Sequence, residues 1–379
     1  MNGLVLSGGG ARAAYQAGVL SYIAEKAPEL HYSIITGVSA GAINAAYLAS
    51  HTGTQSQILE GLSRAWCELT LDRVFSTDAG RLRLNGARWM WMLGAGGTSL
   101  GPKVKGLVDT SPLRKFLEAR LEPDSIDENI RAGRLRALGL TAIDYATGQT
   151  ITFVHGADDV PTWKRSRRRA VRAHISVDHV MASAALPLIF PAVRIDSDYY
   201  GDGSLRQAAP LAPAIHLGAD RLLAIGTRYR EGREESEEPQ VTGYPPPAQI
   251  LGLLFHTLFM DTLEADAERL VQVNRALSSL APGSPVPNGL RPIDLFVIRP
   301  SRDLSKMAEP FRDHLPRSLH FLLRGLGVHR IRSSNFLSYL MFEEPYINQV
   351  IELGYEDAMS HWHGIERFFA TETTQGAHV

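Results

Sequence analysis

Two stretches decide the fold: LVLSGGGARAAYQAGVL at residues 4–20 and YSIITGVSAGAINAA at residues 32–46. Each opens on a short apolar run, turns through small residues and continues into an Ala-rich pattern. Apolar runs of that length, bounded by turn signals, read as buried strands, and the Ala-rich continuations as helices. The expected order is a strand at residues 4–7, a helix from residue 11 ending near Pro28, a strand at residues 32–36 and a helix from residue 40. A β-α-β-α order brings the strands parallel and lays helices on the faces of the sheet, so the fold class expected is α/β with a mainly parallel central sheet.

Working outward, residues 55–75 read as helical, and SPLRKFLEARL as a helix opened by Ser111 with Pro112 at its first helical position. LRALGLTAID reads as a strand, and DYATGQTITFVHG as a turn with a second strand pairing back. Ser176 is the expected N-cap of a helix over residues 176–187. AVRIDSDYYGDGSL reads as a strand leading into a tight turn, and DRLLAIGT as a buried strand preceded by the helical LAPAIHLGA. Residues 228–247 are charged, then proline-rich, and read as an exposed loop or linker. A long helix is expected over about residues 248–280, then a strand at residues 293–298, then mostly helix to about residue 369. The expected organisation is one α/β unit over residues 1–227, the linker over 228–247, and a largely helical region over 248–379 that packs on the first unit and completes it. The strand at residues 293–298 is a candidate member of the same sheet.

Length alone allows two or three domains in 379 residues. The 44% hydrophobic and 21% charged content is ordinary for a globular chain, and a net charge of −1 gives no field to gather nucleic acid. The single cysteine, Cys67, rules out an intrachain disulfide and fits a reducing compartment. Met1-Asn2-Gly3 runs straight into the first strand without a basic region or cleavage site, and Gly3 is one position too late for myristoylation. No apolar stretch reaches the ~18 residues of a membrane span. The expectation is a cytoplasmic chain, with a membrane surface as a candidate contact.

Gly37-Val38-Ser39-Ala40-Gly41 is G-x-S-x-G between an expected strand and an expected helix. That is the setting of a nucleophile elbow, in which a sharp turn puts the serine at its apex. Small residues at 37 and 41 let neighbouring segments close on the turn, and the helix N-terminus favours negative charge near the hydroxyl. The competing reading is a glycine-capped turn whose serine merely caps the helix.

Gly8-Gly9-Gly10-Ala11-Arg12 follows the first strand, and such a loop presents backbone N–H groups to an anion. A dinucleotide would need G-x-G-x-x-G and an acid about 20 residues on. Here the sixth position is Ala13, the acids Glu25 and Glu29 lie in or just after the helix, and no G-K-[ST] follows. The alternative anion is a transition-state oxyanion, where such donors contribute about 3–4 kcal/mol. A plain tight turn with an exposed Arg12 is the third reading.

A serine nucleophile needs a base. Asp202 stands between Gly201 and Gly203, a position that also suits an ordinary Asp-Gly turn. His155, His174, His179 and His216 are rival bases. Taken in order, strand–GGGxR–helix, strand–GxSxG–helix and the D-G turn resemble the patatin-like phospholipase family over about residues 2–227. ASAALPLIFPAV at residues 182–193 is similar to the segment ahead of that family's aspartate.

The resemblance implies a three-layer α/β/α fold and a Ser–Asp dyad, with Ser39 as nucleophile and Asp202 as base. It implies an oxyanion loop of Gly8, Gly9, Gly10 and Arg12, an elbow flanked by Gly37 and Gly41, and an acid turn of Gly203 and Ser204. Two positions depart from the family pattern: Ala13 where glycine is frequent, and Ser204 where Gly or Ala is usual. The Ser204 hydroxyl either bonds Asp202 and lowers its basicity or is idle. The implied activity is hydrolysis of lipid carboxylic esters, as in a phospholipase A or lysophospholipase, through an acyl-enzyme and with no cofactor or metal. A lipid-binding regulator that keeps the fold, and an acyltransferase using the same dyad, are the alternatives.

WKRSRRRAVR carries Lys164, Arg165, Arg167, Arg168, Arg169 and Arg172, and reads either as a contact for anionic lipid or as a solvated loop or helix face. RWMWMLGAGG at residues 88–97 reads either as an apolar cover over an acyl pocket or as a core helix. The partners expected are a lipid ester and no nucleic acid, with a membrane surface and a second copy of the chain as candidates.

Overall fold

In the computed structural model, parallel pairing of the first two apolar runs organises the sheet. The described residues are 1–76, 106–229, 262–280, 290–316 and 334–370, with single residues 80, 84 and 286. Their strands are β1 (Asn2–Leu6), β2 (Ile34–Val38), β3 (Ala137–Asp144), β4 (Thr150–Gly156), β5 (Lys164–Arg165), β6 (Arg168–Arg172), β7 (Val193–Ile195), β8 (Asp198–Asp202), β9 (Arg221–Ile225) and β10 (Asp294–Ile298). The order β10-β9-β1-β2-β3 is parallel throughout. β4 then adds antiparallel to β3, β6 parallel to β4, and β5 antiparallel at the edge. The expected strand at residues 293–298 is therefore β10, a member of this sheet.

Successive side chains of a strand point to opposite faces, and both faces here are apolar. Leu4 and Leu6 enter one core with Ile35, Leu138 and Leu223. Val5 enters a second core with Ile34, Ala137 and Leu222. The first core is covered by α1 (Ala14–Lys26), α2 (Ala40–Ser50), α3 (Gln55–Glu68) and the helix Glu344–Ser360. The second is covered by the helices Ala212–Leu217 and Leu263–Ser278. The result is the α/β/α sandwich.

α1 is buried almost all round, so it is built from small residues rather than an amphipathic stripe. A methyl on Gly18 would overlap the Ile351 carbonyl, and one on Gly354 the Tyr15 carbonyl. The two helices thus pack backbone to backbone. Tyr15 donates to Asp357 at 2.8 Å in the same seam.

Several boundaries differ from the sequence expectation. β2 begins at Ile34, not at residue 32, because its register with β1 starts opposite Gly3. The first helix opens as a 3-10 turn, Gly10–Ala13, before α1. The helix capped by Ser176 runs only over Val177–Ser183, since Pro187 disfavours helical backbone at the residue before it. The strand before Asp202 is a hairpin, β7 with β8, and Asp202 is its last residue. The basic run forms the β5–β6 hairpin at the sheet edge, not a loop or helix face. The apolar stretch at residues 88–97, residues 230–247 of the expected linker and residues 248–261 of the expected long helix lie outside the described residues. No helix among the described residues is long and apolar enough to cross a membrane.

Candidate active site

Two strands end head to head on one edge of β3. β2 climbs that edge until Val38 faces Thr141, and β8 descends it until Asp202 faces Ala142. The chain leaves β2 at Ser39 and β8 at Gly203. Gly203 has no room for a side chain, since a methyl there would overlap the Thr141 carbonyl.

Ser39 turns the chain from β2 into α2 with φ 55° and ψ −131°, a left-handed conformation for a residue with a side chain. Such backbone costs about 1–3 kcal/mol and persists only where surrounding contacts impose it. Here the Ser39 N–H donates to Ser183 Oγ at 3.0 Å, and Ser183 Oγ donates to the Thr141 carbonyl at 2.6 Å. The Ser39 carbonyl accepts from the Ala42 N–H at 2.9 Å. The methyl missing from Gly41 would overlap the carbonyls of Leu6 and Ser7, so α2 starts directly against the end of β1.

The side chains then meet. Ser39 Oγ donates to Asp202 Oδ2 at 2.6 Å, and Asp202 Oδ1 accepts from the Ser204 N–H at 2.8 Å. The Asp202 carboxylate is fully buried. Burial pushes its pKa up to about 6, and hydrogen bonds from Ser39 and from the Ser204 amide and hydroxyl pull the other way. A base with a pKa near neutrality both holds its proton-accepting form and takes a proton readily.

The glycine loop lies on this pair. A Cβ at Gly8 would stand 2.9 Å from Ser39 Cβ and 2.8 Å from Ser204 Oγ. The Gly8 carbonyl accepts from Thr227 Oγ1 at 2.6 Å, and a planar trans peptide then directs the Gly9 N–H the opposite way. Gly10 takes φ 57° and has the Tyr339 backbone against its Cα. Arg12 is buried: its Nε donates to Ser338 Oγ at 2.8 Å, a terminal nitrogen donates to Ser305 Oγ at 2.9 Å, and the guanidinium lies 4.6 Å from the Tyr339 ring centre. Its backbone N–H is already bonded to the Gly9 carbonyl at 3.2 Å. Arg12 thus braces the loop from behind.

Residues 4–215 match the sequence model of the patatin-like phospholipases, which covers more than half of the chain. The chain belongs to the patatin-like phospholipase family. Lipid acyl hydrolysis is the activity this family carries. Among solved structures, the crystal structure of VipD from Legionella pneumophila is similar to this patatin-like chain at 12% identity, covering 96% of this chain and 67% of that one with a TM-score of 0.35. No curated protein matches the sequence.

An apolar cavity of about 30 Å³ opens beside Ser39 in this patatin-like fold, walled by Ile43, Trp66, Leu69, Leu113, Leu186 and Phe190. The rival histidines are engaged elsewhere. His179 accepts from the Ser176 amide in a capping box, and His216 lies against Trp163. Asp127, His155 and His174 bring three candidate metal-ligand atoms within 4.8 Å of one another. His155 Nδ1 accepts from the Ile175 N–H at 3.2 Å, so Nε2 carries the proton and donates to Asp127 at 2.8 Å. Both ring nitrogens of His155 are thus engaged within the protein.

Sequence reasoning missed Ser183, Thr227, Ser305 and Ser338. Ser183 stands inside the ASAALP segment, but nothing local marks its hydroxyl as the anchor of the elbow. Thr227 follows β9, and Ser305 and Ser338 lie in the short helices Leu304–Ala308 and Ser334–Tyr339, which meet the site only in the folded chain.

Proposed function

We propose that the chain hydrolyses lipid carboxylic esters, as a phospholipase A or lysophospholipase does, with Ser39 as nucleophile and Asp202 as base. The observation that carries the reading is the 2.6 Å Ser39–Asp202 bond, made by a serine in strained backbone to a carboxylate with no exposure to water. Asp202 takes the hydroxyl proton as Ser39 Oγ attacks the ester carbonyl. The N–H groups of the Gly8–Gly10 loop receive the oxyanion, and collapse of the tetrahedral adduct expels the alcohol, protonated by Asp202. Water, deprotonated by the same carboxylate, then attacks the acyl-enzyme and releases the fatty acid. The cavity beside Ser39 suits the acyl chain, since its named walls are apolar.

In this reading residues 1–227 carry the catalytic groups, and residues 248–379 complete the sheet with β10 and brace the oxyanion loop through Ser305 and Ser338. The exposed Lys164, Arg165, Arg167 and Arg168 of the β5–β6 hairpin are assigned to an anionic membrane surface. A fluorophosphonate probe tests the core of the proposal. Labelling that vanishes in Ser39→Ala supports it, and labelling that survives there refutes it.

A further inference from the structure

β2 has a second cavity at its other end. Ser39 follows its last residue, while Tyr32 stands two residues before its first, and five residues of strand span roughly 17 Å. The cavity there measures about 80 Å³, larger than the one beside Ser39. Its walls include Leu20, Ile23, Ala24, Leu48, Ile58 and Leu59, from α1, α2 and α3. About 10–15 Å³ of such space holds one water-sized group, so it accommodates a segment of several methylenes.

Tyr32 offers this cavity a donor. Tyr32 lines it, is 8% exposed, and its hydroxyl is buried without a hydrogen-bond partner. An unsatisfied buried hydroxyl costs about 1–3 kcal/mol, which an acceptor brought by a ligand recovers. Burial holds the Tyr32 pKa above its ordinary value, so the hydroxyl stays a donor.

At the mouth, Gln55 donates its amide N–H to the Leu30 carbonyl at 3.0 Å, which fixes the amide's orientation. The same nitrogen lies 3.2 Å from His31 Nδ1, so Nδ1 accepts and the His31 proton sits on Nε2, a donor. His51 Nδ1 lies 2.8 Å from the Tyr47 carbonyl and must carry a proton to bond it. Arg134 is held at the rim by the buried Asn129, whose Oδ1 accepts from Arg134 Nε at 2.7 Å and whose amide donates to the Ala49 and His51 carbonyls. Glu128 lies 3.7 Å from a terminal nitrogen of the Arg134 guanidinium, at an exposed pair of side chains.

We propose that this cavity is a second amphiphile site that takes a fatty acid, its chain among the walls from α1, α2 and α3 and its carboxylate among Arg134, His31 and the Tyr32 hydroxyl. A carboxylate fits because it accepts at both oxygens and carries one charge, opposite one guanidinium. The site is independent of the reaction at Ser39, and its test is run on the Ser39→Ala chain so that hydrolysis plays no part.

Oleate carrying a photoreactive diazirine on its chain is cross-linked to the full-length Ser39→Ala protein, and the labelled peptides are mapped by mass spectrometry. Label is expected on residues 20–35 and 48–59. In a parallel titration with oleate, the double variant Tyr32→Phe/Arg134→Ala is expected to bind at least tenfold more weakly, with a melting temperature no lower than the parent's and unchanged turnover of a soluble ester in the Ser39 background. Methyl oleate is expected to bind the parent weakly and to ignore the double substitution. Label confined to peptides around residue 39, or oleate affinity unmoved by the double variant, overturns the proposal.

Discussion

Val38 and Asp202 occupy consecutive rungs on one edge of β3, opposite Thr141 and Ala142. The separation between Ser39 and Asp202 is therefore set by the spacing of a strand, not by the reach of two flexible loops. This rigidity underlies the first prediction. Ser39→Ala and Asp202→Asn should each lower kcat on a lipid ester by about 10³-fold or more, with little change in KM. The acid limb of the parent's kcat/KM profile should fall near pH 6, where Asp202 protonates. Ser204→Ala removes a hydroxyl that holds this value down, so its acid limb should move to higher pH while the activity at pH 8 changes little. A limb that stays in place assigns the titration to another group.

The raised value of Asp202 also bears on stability. Its folded pKa of about 6 lies above the unfolded carboxylate value of about 3.9, so folding disfavours the charged form. Stability from this group is complete below about pH 4 and is lost as pH rises through about 6. At pH 8 the loss is on the order of 2–3 kcal/mol. Asp202→Asn should accordingly melt higher than the parent at pH 8, and the gap should close by pH 4. Thermal melts across that range would show it, and an equal or lower melting point at pH 8 would contradict the assignment.

Thr227 tests whether the glycine loop acts through its peptide orientation. Thr227→Val keeps the shape and removes the bond to the Gly8 carbonyl. A loss of about tenfold in kcat, equivalent to ~1.4 kcal/mol, is expected with KM nearly unchanged, and Thr227→Ser should restore most of it. A Thr227→Val enzyme with normal kcat would show that the loop holds its geometry without that hydroxyl.

The β5–β6 hairpin makes a separate prediction. Basic residues near an anionic surface contribute about 1 kcal/mol each. Replacing Lys164, Arg165, Arg167 and Arg168 by Ser should reduce sedimentation with phosphatidylserine vesicles at least tenfold, without affecting hydrolysis of a soluble ester. Sedimentation equal to the parent's would remove membrane contact from this hairpin. Arg172 is left in place because it is bonded to the carbonyls of Ala157, Asp158 and Val160.

The parallel core and the sharp turn at Ser39 were legible because their causes are local. Apolar runs too short for helices, glycines at 37 and 41 and an Ala-rich sequel dictate strand, turn and helix within a dozen residues. Asp202 was legible only in company, since an Asp-Gly turn has no meaning until a serine is found to face it. That it closes a hairpin, and not a lone strand, depends on β8 taking over the β3 edge where β2 leaves it. Ser183 and Thr227 were illegible for the same reason: each acts on a backbone group more than a hundred residues away. The roles of Ser305 and Ser338 are visible only from the buried Arg12 that they hold.

That last contact sets an order of events at the ribosome. Arg12 precedes by 293 and 326 residues the Ser305 and Ser338 hydroxyls to which its guanidinium donates, and both lie beyond β10 in the chain. A nascent chain long enough to contain both Ser39 and Asp202 still holds an unfastened glycine loop. On the proposed reading, both members of the dyad are therefore made well before the loop that serves them can be fastened.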